Sequence, residues 1–151
     1  IMLTRRSDQA MDFDYAKVTE QSRENPVFYV QYAHARAKSV LKSSGTVEAD
    51  VDLGLLEDKA EMNLIRMMAS WPRQVEAAAE AHEPHRIAFY LQDLAAAFHA
   101  LWNKGRDDPA LKFIRDDSPA HTAARLRMVE AAALVIRSGL AMLGVDAKEE
   151  M

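Results

Sequence analysis

Asn25-Pro26-Val27-Phe28-Tyr29-Val30-Gln31-Tyr32-Ala33-His34-Ala35-Arg36 is the stretch on which the fold turns. Asparagine caps a helix N-terminus well, and proline is pre-shaped for the first helical position. The pair Asn25-Pro26 therefore predicts a helix start. At about 100° per residue, Val27, Val30, Ala33, His34, Ala37, Val40 and Leu41 fall on one face. Tyr29, Tyr32 and Arg36 fall together on a lateral face. Two phenols beside a guanidinium suit a stacked, hydrogen-bonded base, because rings offer a π-face and arginine offers fixed donors. The plainer use of such tyrosines is to pack half-buried with their hydroxyls in water.

Outward from this helix, the prolines act as punctuation. Pro26, Pro72, Pro84, Pro109 and Pro119 all stand at or near expected helix starts. Gly45, Gly105 and Gly144 each follow a periodic run and read as helix stops. The pattern predicts helices over 14–23, 26–44, 55–70, 72–82, 84–104 and 119–143. Connectors are expected over 45–54 and 105–118, the second with one short turn around Ala110 to Ile114. Ile87, Leu91, Leu94, Phe98 and Leu101 form one apolar stripe, and Leu126, Val129, Ala133, Ile136, Leu140 and Leu143 form another. Steps alternating between three and four residues mark faces buried in antiparallel helix packing. No segment alternates with period two, so no strand is expected. The fold class is all-α, an antiparallel helix bundle of about five or six helices.

Composition narrows the function. The chain has 151 residues, enough for one domain with a sizeable core. It has no cysteine, which excludes disulfides and thiolate metal sites and is compatible with a cytoplasmic setting. No apolar run approaches the roughly 20 residues that span a bilayer, and the first residues carry no secretory signal. The first residue is Ile1 rather than Met, as in a piece cut from a longer protein. The net charge of −4 argues against non-specific nucleic-acid or DNA binding, which favours basic domains. Local basic residues remain: Arg36, Lys38 and Lys42 on the first helix, Arg125 and Arg127 on the last. For most of them a solvated helix surface is the simpler role.

No catalytic constellation emerges. His82 and His85 flank the Glu83-Pro84 break and lack a third ligand, so no metal site is expected. His34 lies near the core stripe and reads as a packed, hydrogen-bonded imidazole. His99 has no nucleophile beside it. Asp107-Asp108 and Asp116-Asp117 read as turn and cap residues at helix N-termini, where negative charge is favoured. No glycine-rich phosphate loop is present.

The run from Asn25 to Arg36 resembles the signature helix of the arginyl-tRNA synthetase C-terminal domain, the all-helical DALR anticodon-binding domain. The resemblance extends through Met11-Asp12-Phe13-Asp14-Tyr15-Ala16 and Thr19-Glu20-Gln21-Ser22. It continues in Ala88-Phe89-Tyr90-Leu91-Gln92-Asp93-Leu94-Ala95, Phe98-His99 and Trp102-Asn103. It returns in Arg127-Met128-Val129-Glu130-Ala131 and in Gly139 to Val145, and so covers nearly the whole chain in order.

This resemblance implies that residues 1–13 form a connector from a catalytic domain and residues 14–151 the anticodon-binding domain. The family's two ATP-handling motifs, HIGH and KMSKS, lie upstream and are absent here. The expected cofactors are therefore none for this piece, with ATP and Mg²⁺ used by the upstream domain. The implied partners are that catalytic domain and the anticodon stem-loop of arginine tRNA, with no membrane and no DNA. Every arginine codon has G in its middle position, so every arginine tRNA carries C at the middle of its anticodon. A pocket for one splayed cytosine needs a stacking surface and acceptors for its amino group. The resemblance assigns Tyr29, Tyr32 and Arg36 to the anticodon-binding face and brings the tail, Lys148-Glu149-Glu150-Met151, to the same place, with Met151 in the pocket. Gln92 replaces the family's usual aromatic residue after Leu91. Two other identities remain open: a stand-alone helical RNA-binding or scaffold module, and the equivalent domain of another class I synthetase.

Overall fold

The computed structural model describes residues 25–45 and 50–151, and these are all-helical. Five α-helices follow in order: α1 (Pro26–Ser44), α2 (Lys59–Ala69), α3 (Trp71–Glu80), α4 (His85–Asp107) and α5 (Pro119–Met142). Short 3₁₀ turns occupy Leu53–Leu55 and Pro109–Leu111. No strand occurs among the described residues. The expected helix over 14–23 and connector over 1–13 lie outside them.

The local signals act largely as expected. Asn25 caps α1, its side chain accepting from Val27 N at 3.1 Å and Phe28 N at 3.5 Å, with Pro26 in the first turn. Gly45 (φ 76°) and Gly144 (φ 68°) take the left-handed backbone that ends a helix, where a side chain would be strained. Pro109 opens the second 3₁₀ turn, and Asp108 caps it by accepting from Ala110 N at 2.9 Å.

Two expectations are corrected. The helix expected over 55–70 begins only at Lys59. Asp58 and Glu61 form a capping box that sets this start: Ala60 N donates to the Asp58 carboxylate at 2.8 Å, and Asp58 N donates to the Glu61 carboxylate at 3.1 Å. Gly105 is not a stop. It lies buried inside α4, where a Cβ would come within 2.8 Å of the Leu111 carbonyl oxygen. Its missing side chain lets the chain fold back across the end of the helix.

Helix α4 is the centre of the molecule, in contact with each of the other four helices. Its whole stripe, Ile87, Leu91, Leu94, Phe98 and Leu101, is buried. So is the stripe of α5 from Leu126 to Leu140, while Leu143 is half-buried. The two helices run antiparallel: Leu91, near the start of α4, meets Gly139, near the end of α5. Helix α2 also opposes α4. Tyr90 donates to Met67 O at 2.8 Å at one end, and Lys104 pairs with Asp58 at 2.6 Å at the other. Burial pushes the Tyr90 hydroxyl up to about 12.

One ion pair lies wholly inside. Arg125 Nε sits 2.6 Å from Glu61 Oε1, with side-chain exposures of 3% and 1%. The same guanidinium donates to Ala110 O at 2.7 Å and Lys112 O at 2.9 Å. Glu61→Ala strands that buried charge and should lower the unfolding free energy in urea by about 3–5 kcal/mol. Leu94→Ala leaves a cavity and should cost about 2–5 kcal/mol. Gly105→Ala must displace backbone and should cost about 1–3 kcal/mol.

Candidate nucleic-acid interface

The lateral face of α1 meets α4 through aromatic rings. Phe28, Tyr32 and Arg36 follow one another at four-residue steps, one helical turn apart, and so line one edge of α1. On α4, His99 and Trp102 are three apart and present to that edge. The Arg36 guanidinium carbon lies 4.5 Å from the Tyr32 ring centroid and 4.7 Å from that of Trp102. It is a cation held between two π-faces. His99 packs on Tyr29 at 4.8 Å and on Tyr32 at 5.6 Å between ring centroids. Tyr32 also stacks on Phe28, with centroids 6.3 Å apart.

Beside this stack opens a cavity of about 760 Å³. Tyr32, Arg36, Trp102 and Met151 line it, with Lys38 and Lys42 from α1 and Glu149 and Glu150 from the tail. Three of the four expected site residues, Tyr32, Arg36 and Met151, thus share one cavity wall. Tyr29 does not line it. It is partly buried against the core, behind His99. Tyr29 supports the wall and is no part of its surface.

The tail is strapped along α1 by both backbone and side chains. Gln31 Nε2 donates to Asp146 O at 2.7 Å, and His34 Nδ1 donates to Lys148 O at 2.7 Å. His34 is accordingly buried and hydrogen-bonded, as expected of it. Lys38 pairs with Glu149 at 3.1 Å and Lys42 with Glu150 at 2.8 Å. Val145 and Ala147 pack partly against the core, so the segment after Gly144 is less polar in its contacts than its charged end suggests. The Lys42 ammonium, hydrogen-bonded to Glu150, holds that carboxyl below its ordinary value of 4.5.

The basic residues proposed from sequence divide sharply. Arg36 sits in the cavity wall. Lys38 and Lys42 are paired with the tail, and Arg127 with Glu130. Arg125 is buried against Glu61 and is removed from the surface candidates. Gln92, where the family's aromatic is replaced, donates to Ala88 O at 3.4 Å within its own helix. His82 Nδ1 lies against Glu80 O, and His85 packs edge-on to Phe89. In the sequence no nucleophile stands beside His99, and Phe98-His99 and Trp102-Asn103 carry only the family resemblance. The available signal was their three-residue spacing, which puts both on one face of α4.

Residues 30–151 match the family model described as the DALR anticodon binding domain. The chain belongs to this family. Over its whole length it is 60% identical to an arginine–tRNA ligase from Parvibaculum lavamentivorans and 54% identical to one from Rhodospirillum rubrum. The chain spans 27% of the length of each of these relatives. In structure it is similar to the Thermus thermophilus arginyl-tRNA synthetase, with a TM-score of 0.81 at 29% identity, covering 99% of this chain and 25% of that one. Among the described residues of this DALR domain, no group of three His, Cys, Asp or Glu converges on a point, and no helix is long and apolar enough to cross a membrane.

The Glu150–Lys42 contact has a measurable signature. A carboxyl whose folded value is lowered contributes its pairing above the ordinary value and loses it as pH falls through the lowered one. In a carboxylate NMR titration the Glu150 midpoint should fall below 4.5, the ordinary value. It should return to that value in Lys42→Met.

Proposed function

We propose that this DALR domain is the anticodon-binding part of an arginyl-tRNA synthetase, and that the α1–α4 cavity takes the middle base of the arginine anticodon. The observation that carries this reading is the cavity wall itself. A flat ring, a fixed guanidinium and a flexible thioether, from Tyr32, Arg36 and Met151, line one concave site. A splayed pyrimidine needs a π-surface, donors for its ring nitrogen and carbonyl, and acceptors for its exocyclic amine. Tyr32, Trp102 and the planar Arg36 guanidinium clasped between them line the cavity and together offer the stacking surface. Arg36 offers donors, and the carbonyls and carboxylates of the tail offer acceptors. Cytosine needs both kinds of partner.

On this reading the parent enzyme charges tRNA with arginine in the cytoplasm. ATP and Mg²⁺ serve the upstream catalytic domain. The DALR domain holds the anticodon stem-loop so that the acceptor end reaches that distant site. Its acidic balance fits selective rather than general RNA binding, since the net charge of −4 disfavours contacts that rest on phosphates alone.

Binding measurements decide the proposal. The chain should prefer arginine tRNA over the same tRNA with a changed middle anticodon base. The slope of log K against log salt should be shallow, roughly −2 to −4, as for a handful of phosphate contacts. Tyr32→Ala and Arg36→Ala should each weaken binding by about 1–3 kcal/mol, the scale of a lost stacking partner, while melting near the wild-type temperature. Equal affinity for both tRNAs would refute specific readout and leave a general RNA-binding or scaffold module.

Two further outcomes follow. The chain alone should give no arginine-dependent ATP–pyrophosphate exchange above a no-protein control, because it carries neither ATP-handling motif. In the full-length enzyme, deleting Lys148 to Met151 should leave the KM for arginine unchanged. It should reduce discrimination at the middle anticodon base by about 1–3 kcal/mol, the scale of one good base contact. Unaltered discrimination would remove the tail from the pocket.

A further inference from the structure

Arg36 is more constrained than a surface arginine needs to be. Its guanidinium is held between the rings of Tyr32 and Trp102, and its Nη1 lies 3.5 Å from His99 Nδ1. The two rings fix the plane of the guanidinium, and the side-chain torsions still let it swing within that plane. A hydrogen bond from Nη1 to His99 restricts that swing. Arginine only donates, so His99 Nδ1 must present its lone pair to it. With Nη1 committed there, the orientation of the remaining donors toward the cavity is set.

His99 is also where the lateral face is tied together. Its ring is 93% buried, being 7% exposed. It touches Tyr29 at 4.8 Å, Tyr32 at 5.6 Å and Phe98 at 5.9 Å between centroids. Phe98 is fully buried on α4. His99 thus connects the core stripe of α4 to both Tyr32 and Arg36. It accounts for Tyr29 as well, which lines no part of the cavity but backs the imidazole.

We propose that His99 is a positioning residue for base selectivity: it fixes the rotation of Arg36 between Tyr32 and Trp102, with Tyr29 acting through it. The proposal rests on the reading of the cavity as the site for the middle anticodon base. A freely rotating guanidinium presents donors in many orientations and serves cytosine and uracil alike. A locked one presents a single donor pattern, and discrimination by hydrogen bonding requires fixed geometry. Loss of His99 should therefore reduce selectivity more than affinity.

The test uses the full chain and two RNA hairpins of the arginine anticodon arm, one with C and one with U at the middle position. Variants are His99→Ala, His99→Gln, which keeps an acceptor, and Arg36→Ala. His99→Ala should shrink the C-over-U preference about fivefold to tenfold, the scale of one hydrogen bond, with a smaller change in affinity for the U hairpin. His99→Gln should recover most of the preference. A side-chain NMR measurement without RNA reports the clamp itself. The Arg36 Nε–Hε order parameter should be high in wild type and in His99→Gln, and clearly lower in His99→Ala. A folded His99→Ala with unchanged hairpin preference would overturn the proposal, as would an unchanged Arg36 order parameter in that variant. If wild type does not distinguish the hairpins while the Arg36 order parameter responds to His99, the clamp stands and the assignment of the cavity to the middle base fails.

Discussion

Glu61 has almost no access to solvent, and its two carboxylate oxygens bind different parts of the molecule. One closes the capping box of α2 through Asp58 N, and the other takes Arg125 of α5 at 2.6 Å. Burying this charge costs several kcal/mol unless every remaining donor and acceptor is satisfied. Here the guanidinium also reaches Ala110 O and Lys112 O, so the loop after α4 belongs to the same network. Asp58 extends it to α4 through Lys104, whose ammonium, together with the Ala60 amide, holds that carboxyl below the usual range. Three helices and one connector are thus placed by a single buried charge and its partners. A burial-driven bundle alone would leave their rotations and offsets less determined.

The consequence reaches the candidate site. The network pins the start of α2, the start of α5 and the loop at the end of α4, where Gly105 lets Leu111 close in. That closure sets the end of α4 on which Trp102 sits. Trp102 and Phe113 pack edge to face at 5.8 Å, and Phe113 stacks on Phe98 at 5.6 Å. The aromatic core therefore continues from the buried middle of α4 outward to the ring that covers Arg36. The site's precision derives from a core it shares, rather than from residues confined to the surface.

Charge is managed in the same way. On the proposed function, an acidic domain must avoid both repulsion of phosphate and indiscriminate attraction. Lys38 and Lys42 face Glu149 and Glu150, and their fields are partly neutralised by the tail. Such exposed pairs contribute little to stability. Their larger effect is on the electrostatic surface that an approaching RNA meets. The cation left in the cavity wall, Arg36, is sandwiched by rings, where it serves directional hydrogen bonding better than long-range attraction.

What the sequence by itself determined were the features that act over one or two turns of chain. Asn25-Pro26, Gly45, Gly144 and the three- and four-residue stripes of α4 and α5 were legible because caps and helical periodicity depend on near neighbours. The shared face of Tyr32 and Arg36 was legible for the same reason. The start of α2 was missed by a few residues although Asp58 and Glu61 stand at capping-box spacing. Gly105 was misread because a glycine that ends a helix and one that admits another strand of backbone look alike in sequence. The sequence places Arg125 among the surface cations, since nothing near it reveals a carboxylate 64 residues away. Only the tertiary structure decided that His99 packs on Tyr32 and lies 3.5 Å from Arg36, that Tyr29 lies behind the wall, and that Lys42 meets Glu150 across 108 residues. Local backbone preferences carry no information about such pairings, because these depend on how already formed helices pack, and that packing is settled by the whole core at once.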